Sequence, residues 1–365
     1  MKNETARSAL IFGGAGFIGS NWAHWLLENT DASVHVFDNL SRLGVRYNLE
    51  NLRKIAARSG RLKVTVGDIR EAGAVERAVR DASEVYQFAA QVAVTTSMAD
   101  PRKDFDINLR GTFNVLEGVR KAGHRPFVLF TSTNKVYGAL NDLALVTTKT
   151  RHQFRDVSGV SEQQPLDFHS PYGCSKGAAD QYVHDYARMF GIPSVVFRMS
   201  CIAGARQFGN EDQGWVAHFL YSALRRNPIV IYGDGRQVRD VLCVNDLVRA
   251  FEAARMYRAV TAGQIYNVGG GPENTVSLLE LLAELEEMLG FPVPWMTDDP
   301  RPGDQLVYVT DYGKLQRDAG WKPKVNVRGT LERIMSWWER NRQVLEPKVG
   351  IEVIRTAVHD EAEAA

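Results

Sequence analysis

The chain has 365 residues, 44% hydrophobic and 24% charged, which is enough apolar material for a large buried core and suggests roughly two domains. Its 44 Lys and Arg nearly cancel its 43 Asp and Glu, so there is no overall basic field to draw in nucleic acid or an acidic membrane, and an anionic ligand must be held locally. Cys174, Cys201 and Cys243 show neither a paired nor a zinc-binding spacing, the histidines are scattered, and no run of about 18 apolar residues or signal-type h-region occurs, so the expectation is a cytoplasmic protein with idle thiols and no metal.

The first predicted strand, Ser8 to Phe12, runs into Gly13-Gly14-Ala15-Gly16-Phe17-Ile18-Gly19 and then into a helical pattern that takes in Asn21 to Glu28. Such glycines permit a tight turn and let main-chain amides approach a pyrophosphate at a helix N-terminus, where the dipole favours negative charge. The second strand candidate, Val34 to Phe37, ends at Asp38. A carboxylate there accepts hydrogen bonds from an adenosine ribose and repels a 2′-phosphate, which favours NAD over NADP. After the third candidate, Lys63 to Val66, Asp68 in Gly67-Asp68-Ile69 is placed to reach the adenine edge.

Further strand candidates are Glu84 to Phe88, Phe127 to Phe130 and Ser194 to Phe197, alternating with helical patterns at Asp106 to Ala122 and Ser175 to Phe190. That rhythm predicts an α/β protein with a doubly wound parallel sheet of the Rossmann type. Beyond Ser200 it breaks into Gly-rich and aromatic stretches with helical patterns at Val216 to Arg226 and Ser277 to Leu289, which suits a smaller, loop-rich domain over the carboxyl edge of the sheet. Trp22 and Trp25 at helical spacing, and Trp337-Trp338 in a late helix, read as core.

Tyr172 and Lys176 form a Tyr-x-x-x-Lys pair, a spacing that puts both side chains on one helical face. A free phenol ionises near pH ~10, too high for a general base, and a neighbouring ammonium lowers that value by stabilising the phenolate. The strand and turn from Phe127 to Gly138 carry Thr131-Ser132-Thr133, of which Thr133 is the residue expected to hydrogen-bond the substrate oxygen that Tyr172 deprotonates.

Taken in order, Gly13 to Gly19, Asp38, Gly67-Asp68, Phe88-Ala89-Ala90-Gln91, Thr133, Tyr172 and Lys176 resemble the nucleotide-sugar epimerases and dehydratases of the extended short-chain dehydrogenase/reductase family, over roughly residues 8–345. STNKVYG (Ser132 to Gly138), QVAVTTS (Gln91 to Ser97), LDFHSPYGCSKGAADQY (Leu166 to Tyr182), RQFGNEDQGWV (Arg206 to Val216) and GDGRQVRDVL (Gly233 to Leu242) are similar to the members that invert carbon 2 of a CDP-linked hexose. Phe12 stands where many relatives have Thr, and Ala203 where an aromatic residue is usual. The 4,6-dehydratases follow the threonine with Asp-Glu; this chain has Asn134-Lys135, and an amide cannot donate and accept a proton in that role, so dehydration is disfavoured.

The resemblance implies NAD contacts at Gly13, Gly16, Phe17, Ile18, Gly19, Asp38, Asn39, Asp68, Ile69, Ala89, Ala90, Gln91, Asn108, Tyr172 and Lys176. It implies substrate contacts at Gln91, Thr133, Ser200, Arg206, Gln213, Trp215, Arg239 and Arg301, with the arginines gripping a diphosphate. Residues 1–199 are then the dinucleotide-binding domain, to which the chain returns around 237–269; 200–345 bind the nucleotide-sugar and 346–365 form a flexible tail. The implied reaction is transient oxidation to a ketosugar, a pivot about the anchored diphosphate, and hydride return to the opposite face. The alternatives are a 4-epimerase of a UDP-sugar, a 2-epimerase using another nucleotide and, more remotely, an NAD-binding sensor without catalysis. A homodimer or homotetramer built through the helices Asp106 to Ala122 and Ser175 to Phe190 is also implied.

Overall fold

The computed structural model describes residues 7–301 and 303–343; the expected tail at 346–365 lies outside them. Seven strands build the main sheet: β1 (Ser8–Phe12), β2 (Ser33–Asp38), β3 (Leu62–Val66), β4 (Glu84–Gln87), β5 (Phe127–Thr133), β6 (Ser194–Met199) and β7 (Ile265–Val268). They lie in the order β7-β6-β5-β4-β1-β2-β3, all neighbours parallel. Parallel crossovers bring helices onto both faces, so the central strands are apolar on both sides. Ala9 to Phe12 and Phe127 to Phe130 are accordingly buried.

One face packs on Trp22, Leu26, Leu49, Leu247 and Phe251, the other on Val75, Val79, Leu116, Val119 and Val183. Trp22 is fully buried, stacked on Trp25 with ring centres 5.2 Å apart, as the helical spacing of the two predicts. A third core holds Phe219, Leu220, Ile231, Leu281, Leu285, Trp337 and Trp338. Its helix Leu278–Leu289 starts with a capping box, in which Ser277 accepts from the Glu280 amide and the Glu280 carboxylate accepts from the Ser277 amide. Among the described residues no helix is long and apolar enough to cross a membrane, and no group of three or more His, Cys, Asp or Glu is placed to hold a metal ion.

Three features depart from the strand and helix reading. Strand β7 was not among the strand candidates, because IYNV is short and half polar; its Asn267 is buried by accepting from Tyr137 Oη at 2.7 Å and donating to the Val160 carbonyl at 2.9 Å. The pattern Asp106 to Ala122 divides into a π turn, Asp106–Arg110, and an α-helix, Gly111–Ala122. Such wide turns re-aim side chains without ending the helix, often at functional sites. The helix carrying Tyr172 begins at Ser170, with a proline in its first turn, so both Tyr172 and Lys176 stand on it.

Candidate active site

Sheet order reverses between β1 and β4, and the crevice at the carboxyl ends of these strands is where a doubly wound sheet binds its ligand. The turn after β1 lies against it. Gly13 has φ +72°, and a Cβ there would fall 2.7 Å from the Ala89 amide nitrogen; a Cβ on Gly19 would fall 2.2 Å from the Gly13 carbonyl oxygen. The helix Phe17–Asn29 has no side-chain cap, which leaves its first-turn amides for a ligand's phosphate oxygens. Asp38 ends β2, and its carboxylate accepts from the Ala15 amide at 3.0 Å and the Leu40 amide at 2.8 Å. Each oxygen keeps acceptor capacity for a ribose hydroxyl. Asn39 donates to Asp68 at 3.1 Å on the same edge, and the hydrogen bond from Arg70 helps hold the Asp68 carboxyl down at about 2. These residues fit a dinucleotide with an unphosphorylated adenosine ribose.

Across the crevice, Thr133 ends β5 and Tyr172 opens the helix Ser170–Phe190; both line one cavity, with the Thr133 hydroxyl near enough to favour the phenolate. Thr133 Oγ1 is fixed by accepting from the Lys135 amide at 3.2 Å. Burial pushes the Tyr172 phenol up to about 12; the Thr133 hydroxyl and the Arg42 guanidinium pull it down. Lys176 Nζ donates to the Thr131 carbonyl at 2.6 Å and lies 4.2 Å from the centre of the Phe130 ring. The spacing argument had the ammonium acidifying the phenol directly. In the structure one hydrogen bond of that amine goes to main chain, and Arg42 is a further cation whose field reaches Tyr172.

Thr133 and Tyr172 open into a cavity of about 570 Å³, within the ~300–1,000 Å³ usual for small-ligand sites. Gln213, Trp215, Arg239 and Arg301 line the same cavity, so six of the sequence-derived residues share one space. Arg239 donates to Asp304 and to the Gln305 carbonyl, both at 2.6 Å. Arg301 lies 3.9 Å from the centre of the Tyr232 ring and pairs with Glu211 at 3.5 Å and Asp212 at 3.4 Å.

Three expected substrate contacts lie elsewhere. The guanidinium of Arg206 bonds to Asn21 and His24, both at 3.1 Å, and so ties its loop to the helix after the glycine turn. Ser200 donates to the carbonyl of Asp240 at 2.9 Å, and the Gln91 amide folds back on Ala93. In each case a near main-chain or side-chain partner satisfies the polar group, which spacing does not reveal. Asn108 is buried and accepts from the main-chain N–H of Gln91 at 2.9 Å; Ile69 is buried against Gly111.

The structure adds residues that the motifs did not single out. Lys135 lines the cavity; burial pulls its amine down to about 8, with Asp304 opposing. The departure from Asp-Glu at Asn134-Lys135 was the available signal. Asn134 is pinned by donating to Gln305 Oε1 at 3.2 Å. Arg42, in the loop after β2, had no signal in sequence.

The chain matches the GDP-mannose 4,6 dehydratase family over residues 10–334. It is 41% identical over 336 residues to the CDP-paratose 2-epimerase of Salmonella typhi, covering 90% of this chain and 98% of that one. Its fold is similar to the dTDP-glucose 4,6-dehydratase of Streptomyces venezuelae with NAD bound, at 30% identity and a TM-score of 0.80, covering 93% of this chain and 99% of that one. It is also similar to the UDP-glucose 4-epimerase of Thermotoga maritima with UDP-glucose, at 29% identity and a TM-score of 0.78, covering 92% and 99%. The chain therefore belongs to the GDP-mannose 4,6 dehydratase family, within the extended short-chain dehydrogenases/reductases.

Proposed function

We propose that this protein is an NAD-dependent epimerase inverting carbon 2 of a CDP-linked hexose, as in the conversion of CDP-paratose to CDP-tyvelose. The observation that carries the reading is the Thr133–Tyr172 pair opening into the cavity that also holds Arg239 and Arg301. The likeness to the Salmonella enzyme supports the choice of carbon and base.

Arg239, Arg301 and Lys135 offer the cations for a diphosphate in a chain of net charge +1. Asp304, between Lys135 and Arg239, keeps those cations balanced and oriented. Thr133 fixes the hydroxyl oxygen on the reacting carbon, and Tyr172 takes its proton and later returns it. NAD, which the glycine turn, Asp38 and the Asn39–Asp68 edge would hold, would supply the hydride acceptor and donor, and its positive ring would add to the stabilisation of a phenolate. Tyr172 stands in the first turn of its helix, where the dipole favours the same anion. Val92, Val94 and Phe219 line the cavity and limit water around the reacting carbon. Asn134, an amide already engaged with Gln305, supplies no acid or base for elimination.

Incubating the pure protein with CDP-, UDP- and GDP-hexoses in deuterium oxide tests this. The expected product is the carbon-2 epimer of a CDP-hexose carrying no solvent deuterium. Incorporated deuterium would require an enolising or elimination route, and inversion at carbon 4 of a UDP-sugar would replace the reading by the alternative.

The protein is proposed to assemble as a homodimer or homotetramer through the helices Gly111–Ala122 and Ser170–Phe190. Phe113, Tyr182, Met189 and Phe190 are exposed on them, Met189 by 69%, and the rings of Phe113 and Tyr182 touch at 5.7 Å. Replacing Tyr182 and Met189 together by Asp should yield monomers in sedimentation equilibrium. A mass unchanged from wild type would place the interface elsewhere.

A further inference from the structure

Behind the phenol is a carboxylate that the proposed reaction does not use. Asp104, on the short helix Pro101–Phe105, is 1% exposed. Its oxygens accept from Ser175 Oγ and, at 3.0 Å, from Asn108 Nδ2, which the π turn holds in place. Both donors are neutral. A buried carboxylate with neutral donors alone is costly unless a cation lies within reach of its field.

The cation is Lys176, one residue beyond Ser175 on the catalytic helix. Burial pulls its amine down to about 7, and two carboxylates oppose that fall, Asp180 and Asp104. Asp180 is matched by Arg198 from β6, which grips both of its oxygens at 2.9 Å. From β5 the amine meets a carbonyl oxygen and the face of the Phe130 ring, neither carrying a formal charge. Asp104 is thus the facing carboxylate whose charge is not already matched by an arginine.

We propose that Asp104 is the counter-ion of Lys176, acting at a distance, and a positioning residue that keeps the amine charged inside the site and sets the pH range over which Tyr172 works. The same anion opposes ionisation of the Tyr172 phenol, against Thr133 and Arg42, which favour it. A proton that Tyr172 takes up must be given back within one turnover, and these opposed fields bring the two states closer in energy. The proposal rests on the reading of Tyr172 and Lys176 as the working pair.

Two variants separate charge from hydrogen bonding. Asp104→Asn removes the charge and keeps a polar side chain; Ser175→Ala keeps the charge and removes one hydrogen bond. In protein labelled with 13Cε-lysine, the Lys176 resonance is identified by its loss in Lys176→Met. Its titration midpoint should fall by about 1 pH unit or more in Asp104→Asn and stay in place in Ser175→Ala. No substrate is needed, so this reading stands or falls apart from the choice of nucleotide-sugar. With a turned-over substrate, the alkaline limb of kcat/KM should move to lower pH in Asp104→Asn by the same amount. A midpoint or limb that does not move, or an equal shift in Ser175→Ala, overturns the proposal. If Asp104→Asn does not fold, the neutral Asp104→Ser is titrated in its place with the same outcomes.

Discussion

Replacing Tyr172 by Phe is expected to lower kcat by a factor of ~10²–10⁴, the range of a single positioned acid–base group, while NAD content and thermal stability stay close to wild type. The ring of Phe fills the same buried place, and Thr133 keeps its partners, the Lys135 amide at 3.2 Å and Asn134 Oδ1 at 3.3 Å. What is lost is the one hydroxyl that can move the proton at the oxygen held by Thr133. The fall should appear in kcat and in kcat/KM alike, as for an interaction made in the transition state, with little change in binding of the nucleotide-sugar. Turnover within a few-fold of wild type would remove Tyr172 from the mechanism.

Replacing Asp180 by Ala is expected to cost about 3–5 kcal/mol of stability, measured by urea unfolding, because it strands a buried guanidinium. Arg198 is 3% exposed and Asp180 fully buried; they meet through two parallel hydrogen bonds of 2.9 Å, and burial of the arginine is otherwise offset by the Tyr137 hydroxyl at 3.0 Å. The pair joins the middle of the catalytic helix to β6, so its loss loosens the element that carries Tyr172 and Lys176. A loss below about 1 kcal/mol would put the pair in the class of exposed ion pairs.

The glycine turn, Asp38 and the Tyr-x-x-x-Lys pair were legible because each is a local arrangement, fixed by a strand end, a tight turn or one helical turn. Thr133 was legible as a hydroxyl at a strand end, and the structure brings it to Tyr172. The reach of the helix back to Ser170 and the π turn at Asp106–Arg110 were not, since both depend on what packs around them. Arg206 shows the limit most clearly. Its motif placed it beside the substrate, yet φ +67° and two partners on the helix Phe17–Asn29 turn it away from the cavity.

By itself the sequence determined the parallel α/β architecture and the place of the glycine turn, and it singled out Thr133 and Tyr172 as the candidate hydroxyl pair. Period, glycine spacing and residue type act over a few neighbours and need no coordinates. Only the tertiary structure decided that Lys135 joins the cavity, that Arg42 acts on the phenol and which charge stands behind the lysine. Lys135, Arg42 and Asp104 come from three separate stretches of chain, and where such groups meet depends on how the loops close over the sheet edge. The balance of buried charge among them is set by burial and by partners distant in sequence, which a local pattern does not encode.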